Sequence, residues 1–120
     1  MRVRAIRGAV QLEQDSAAEM NSAVGELLLE MLAQNQIEVK DLISVVLTAT
    51  PDLKSEFPAV AARKIGLGSV PLLCAVEVDV TGALPRVVRV LMHSHLDRDL
   101  EQIKHVYLRG ASVLRKDLAQ

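Results

Sequence analysis

The sequence predicts an α+β domain in which one mixed β-sheet carries helices packed on one face. Three observations lead there. Apolar residues recur at helical spacing in one long stretch, from Met20 to Leu32, and again briefly after Pro58. Short runs of β-compatible residues stand at 3–11, 42–49, 70–76, 86–94 and 105–108. Their order along the chain is β, α, β, short α and then several β, with no repeat, low-complexity tract or linker to divide 120 residues into more than one domain.

The first strand, 3–11, sets Arg2 and Arg4 on the opposite parity from Val3 and Arg7. A helix then opens at Ser16, where Ser16 and Glu19 have the spacing of a capping box, each side chain expected to bond the other's amide. Met20, Val24, Leu27, Leu28, Met31 and Leu32 make its apolar stripe, and it ends near Asn35. The run 42–49 is short and β-branched and stops at Thr50-Pro51-Asp52, so it is a buried strand feeding a loop. A short helix with Pro58 in its first turn is closed by Gly66 and Gly68. Strands follow at 70–76 and 86–94 with 81–85 as the turn between them, and the last β-like run, 105–108, precedes the tail.

Hydrophobic residues make up 50% of the chain, yet it holds one Phe, one Tyr and no Trp. Its core is therefore aliphatic, and self-association is the expected way to bury what a domain this small leaves exposed. Net charge is −1 and no Lys or Arg run is long enough to follow a phosphate backbone, which excludes nucleic acid as a partner. No stretch approaches the ~20 apolar residues that span a bilayer, so no membrane is expected. One cysteine excludes an intrachain disulfide, and residues 1–8 lack the apolar core of a signal peptide; the expected location is the cytoplasm.

Ionisable groups stand inside the apolar runs 72–80 and 86–92, which otherwise read as sheet core. Arg89 lies among Val87, Val88, Val90, Leu91 and Met92. A charge buried without a partner costs on the order of several kcal/mol, so Arg89 either pairs with Glu77 or Asp79 or waits for an anionic ligand; periodicity leaves both open. Arg7, Arg63, Arg89 and Arg115 all have the planar fork that grips carboxylates, although Arg63 also suits a solvated helix face and Arg115 a plain tail position. Cys74 and Glu77, three apart, point to opposite faces of a regular strand, so Cys74 is expected to offer a ligand its backbone and its thiol to the core. Tyr107 is core filler or a donor to a carboxylate. His93 and His95 share a face, but no third ligand stands near, and no metal is expected.

Taken in order, 4–9 (Arg-Ala-Ile-Arg-Gly-Ala), 48–53 (Thr-Ala-Thr-Pro-Asp-Leu), 57–59 (Phe-Pro-Ala), Val70-Pro71, Cys74 with Glu77, 79–82 (Asp-Val-Thr-Gly), Arg89-Val90 and 105–108 (His-Val-Tyr-Leu) resemble the monofunctional AroH-class chorismate mutases nearly from end to end. The resemblance implies a homotrimeric pseudo-α/β-barrel with three active sites in the clefts between subunits. It implies chorismate as substrate, prephenate as product, no cofactor, and a place in phenylalanine and tyrosine biosynthesis. It assigns Arg7, Glu77 and Arg89 to catalysis, and to substrate binding these three together with Leu73, Cys74, Ala75, Val76 and Tyr107, bordered by Phe57, Arg63, Leu114 and Arg115. Val60 and Leu73 stand where the family can have Lys and Thr, and the tail is short, departures that bear on affinity more than on reaction type. Two rival readings of the same inventory are a trimeric imine or enamine deaminase, which also uses an interfacial Arg, and a non-catalytic regulator that binds a carboxylated metabolite.

Overall fold

The computed structural model describes residues 2–114. β1 (Val3–Gln11), α1 (Ala17–Gln34), β2 (Leu42–Ala49), α2 (Pro58–Ala62), β3 (Leu72–Val76), β4 (Val87–His95) and β5 (Val106–Leu108) follow one another, with 3₁₀ turns at Val39–Asp41, Leu100–Gln102 and Arg109–Leu114. Pro58 supplies the first position of α2, which widens over Arg63–Leu67 and ends where Gly66 turns to φ 103°.

Ser16 caps α1, its hydroxyl accepting the Glu19 amide at 3.1 Å. The other half of the expected box does not form. Ser16's own amide is taken by the Gln14 carbonyl, so the Glu19 carboxylate reaches further back and accepts the amides of Glu13 (2.7 Å) and Gln14 (2.8 Å). The Glu13 amide first, and the Gln14 amide and Arg109 after it, hold the Glu19 carboxyl below its ordinary value despite some desolvation.

The five strands are ordered β3-β2-β4-β1-β5. β4 runs antiparallel to both β1 and β2, while β3 lies parallel to β2 and β5 parallel to β1. The turn at 81–85 therefore does not join neighbouring strands, because β2 intervenes between β3 and β4. The apolar run also fails to continue as sheet core past Val76: Val78 and Val80 are exposed beyond the end of β3.

One face of the sheet presents Ile6, Val10, Val45, Leu47, Val88, Val90 and Met92, all buried, to the buried stripe Met20, Val24, Leu27, Leu28 and Met31 of α1. Each such large side chain contributes roughly 1.5–3 kcal/mol by leaving water. Gly8 lets helix and sheet approach, since a Cβ there would collide with Met31 Sδ and stand 3.2 Å from Leu27 Cδ1. The opposite face has a small second cluster, Ala9, Val87 and Ala111, roofed by the terminal 3₁₀ turn with Tyr107 and Leu114. Further across that face Leu91 and Leu73 stay exposed, Leu73 at 62%. Among the described residues no helix is long and apolar enough to cross a membrane.

Candidate active site

Strand register builds the site on the face away from α1. Tyr107, Ala9, Arg89, Thr48 and Ala75 are successive cross-strand partners and form one row over all five strands. Arg7, Leu91, Val46 and Leu73 form the next row. Neighbours in a row are about 4.8 Å apart, and the small Ala9 keeps the space between Arg89 and Tyr107 open. The result is a cleft of about 390 Å³ lined by Arg7, Ala9, Val46, Thr48, Arg89, Leu91, Tyr107 and Leu114 among others.

Arg89 and Glu77 do pair, across the intervening β2. Arg89 Nε donates to Glu77 Oε1 at 3.2 Å. The Thr48 hydroxyl donates to Glu77 Oε2 at 2.7 Å, so both carboxylate oxygens are held. Glu77 keeps the parity of Leu73 and Ala75 because its amide extends the β2–β3 ladder by one bond to the Ala49 carbonyl, 2.9 Å. Cys74 falls on the other face and packs against the main core, as the spacing predicts. The guanidinium is thus pinned through one of its five N–H groups, and its Nη nitrogens have no acceptor among the described residues. Of the two readings of Arg89 left open by periodicity, the structure shows the ion pair, and the paired residue also lines the cleft.

Arg7 has no side-chain partner among the described residues, and it lines the same cleft beside Tyr107. Its backbone amide donates to His105 Nδ1 at 2.9 Å. Leu114 is held over the cleft by the terminal turn, whose first residue, Arg109, takes a left-handed φ of 55° and reaches α1 through Glu19 (3.3 Å) and Glu26 (3.6 Å).

Phe57, Cys74, Ala75 and Val76 come together elsewhere, in a second cleft of about 370 Å³ at the β3 edge. Asp15 shapes its rim by accepting the amides of Lys54 and Ser55, each at 3.0 Å. Phe57 and Val76 are 69% and 70% exposed, and Leu73 beside them is uncovered. Arg63 is exposed at the end of α2 and lines neither cleft, and Arg115 lies outside the described residues. His93 Nδ1 stands 3.4 Å from Ser44 Oγ, and among the described residues no group of three or more His, Cys, Asp or Glu gathers as a metal site would require.

Thr48 and His105 bond to candidate site residues, yet sequence reasoning gave neither a role beyond including it in a segment that carries the family resemblance. Thr48 carried a faint signal, a hydroxyl inside an otherwise apolar strand. His105 carried no physical signal of its own in the sequence.

A family model described as chorismate mutase type I matches residues 3–118. Among curated relatives, a protein named chorismate mutase AroH from Thermus thermophilus is 50% identical over 117 residues, 97% of this chain and 96% of its own length. Its namesake from Bacillus subtilis is 41% identical over 120 residues, 99% of this chain and 94% of its own. A solved chorismate mutase from Clostridium thermocellum superposes with a TM-score of 0.90 at 45% identity, covering 92% of this chain and 98% of that one.

Proposed function

The chain belongs to the type I, AroH-class chorismate mutases and isomerises chorismate to prephenate; we propose that it does so with Arg89 as the principal catalytic group, in a cleft completed by a neighbouring copy. The rearrangement is pericyclic: an ether C–O bond breaks as a C–C bond forms, with no proton transferred and no nucleophile attacking. What remains for the protein is to hold a flexible dianion in its compact conformer and to stabilise charge as the ether bond lengthens. A guanidinium held at Nε by Glu77, on a residue that lines one cleft with Arg7 and Tyr107, is the observation on which this reading rests.

In it the Arg89 Nη groups meet the ether oxygen, where negative charge grows. A preorganised donor there is worth about 3–4 kcal/mol in the transition state, because it needs no reorganisation when the charge appears. Glu77 accepts the ring hydroxyl, helped by the Cys74 main chain. Arg7 and Tyr107 take the carboxylates, and Phe57, Leu73, Ala75, Val76 and Leu114 border the substrate.

The assembly follows from reach. Tyr107 and Ala75 stand at opposite edges of the sheet, roughly 19 Å apart at ordinary strand spacing, so one small dianion does not span both clefts of a single chain. A homotrimer that sets the β3 edge of one subunit against the Arg7–Tyr107 cleft of the next joins them and buries Phe57, Leu73 and Val76. The location that fits is the cytoplasm, and the whole chain acts as one catalytic domain.

The purified protein is expected to convert chorismate to prephenate, to release no ammonia from an imine substrate, and to sediment at three times its chain mass. Chorismate binding without turnover would overturn the mechanism. A catalytically competent monomer would overturn the shared cleft.

A further inference from the structure

We propose that His105 is the positioning residue that sets Arg7 against Tyr107, making the carboxylate grip dependent on a neutral imidazole. The proposal deepens the reading of Arg7 and Tyr107 as carboxylate holders and rests on it.

β5 is three residues long and pairs with β1 only from Gly8 to Val10. At Arg7 the ladder has run out, and the amide would face the sheet edge without a carbonyl to receive it. His105, the residue just before β5, supplies the acceptor from its side chain: Nδ1 receives the Arg7 amide at 2.9 Å, between residues 98 apart in sequence. This bond continues the ladder by one rung. It therefore fixes the start of the strand that carries Tyr107 relative to the residue that carries the Arg7 guanidinium.

Acting as acceptor requires Nδ1 to be bare and the ring proton to sit on Nε2. Burial, and then the charge of Arg7, push the imidazole below its ordinary value of 6.5, so the acceptor is present at neutral pH. Arg7 is the charge that faces it from β1. From the C-terminal cap of α1 the segment is met by neutral Asn35, which brackets the adjoining Lys104 with two 2.8 Å bonds. As pH falls through the folded value, a proton on Nδ1 turns the acceptor into a donor aimed at another donor, and the rung breaks. The stability it adds is present above the ordinary histidine value and is lost on that same acid side.

The test compares the full-length enzyme with His105→Leu and His105→Asn. Asn presents an acceptor near the place of Nδ1 but does not titrate in this range. With His105→Leu, KM for chorismate is expected to rise about tenfold at neutral pH while kcat stays within about threefold, the effect of one hydrogen bond on ground-state grip. Exchange of the Arg7 amide proton, read by NMR, is expected to quicken in the same variant, a readout independent of turnover. In the parent KM is expected to rise on the acid side, and His105→Asn is expected to recover most of the affinity lost in His105→Leu and to flatten that rise. Arg7 exchange unchanged in His105→Leu, or an acid-side rise that persists in His105→Asn, overturns the role of His105. Faster Arg7 exchange with unchanged KM also overturns the proposal, through the reading of Arg7 as a carboxylate holder.

Discussion

Replacing Arg89 with Lys keeps the charge and removes the fork, and the structure says what that does. In the parent, Nε is spent on Glu77 at 3.2 Å, and in the proposed mechanism the Nη nitrogens are left for the ether oxygen. Lysine offers one nitrogen, and Glu77, held in place by Thr48 at 2.7 Å, is the nearest anion to capture it. The variant therefore loses a donor needed in the transition state, and a single such donor is worth about 3–4 kcal/mol, or roughly 10²–10³ in kcat. KM should change by less than about fivefold, because the carboxylate grip proposed for Arg7 and Tyr107 is left in place. Folding should hardly respond: the Arg89 side chain is half exposed, and ion pairs of that kind contribute about 0.2–1 kcal/mol. Initial rates of chorismate loss, with a thermal melt of the same preparation, separate these terms. Turnover within about threefold of the parent would refute the role assigned to Arg89, as would a loss confined to KM.

Thr48→Val is nearly isosteric but removes the hydroxyl bond to Glu77, so kcat/KM should fall about 10–100-fold, as expected for a hydrogen bond to a charged group, while Thr48→Ser retains most of the activity. Gly8→Ala drives a methyl into Met31 and should cost about 1–3 kcal/mol, visible as a lower urea midpoint at an unchanged slope. Glu19→Gln tests the start of α1. The folded carboxyl is held below its ordinary value of 4.5, so its contribution is complete above that pH and is lost as pH falls through the folded value. The variant should accordingly be less stable than the parent at pH 7, with the gap in urea midpoint closing as the solution is taken below 4.5; a gap that persists in acid would show that the capping amides do not depend on the charge.

Where the chain decided matters locally, its sequence was readable: the bounds of β1 and β2, the Ser16 cap, the stripe of α1 and the proline at the head of α2 all follow from neighbours within a few residues. Pairing between distant strands was not, and it is pairing that builds the site. Glu77 and Arg89 could be named as partners from their chemistry, but only the order β3-β2-β4 shows why Thr48 lies between them and fixes the carboxylate. His105 shows the same limit more strongly, because its value lies in an amide 98 residues away at the end of a ladder. A pericyclic reaction asks for little reactive side-chain chemistry and much placement of charge, so this enzyme's catalytic content sits in register and not in a local motif. It follows that the residues which set register act on turnover at a distance. Gly110 marks such a place, since a Cβ there would overlap the Gln11 side chain at the end of β1 and displace the turn that holds Leu114 over the cleft. Gly110→Ala is therefore expected to lower kcat/KM by more than its effect on the thermal midpoint accounts for, and a variant equally active at temperatures where it stays folded would show that the terminal turn does not position the site.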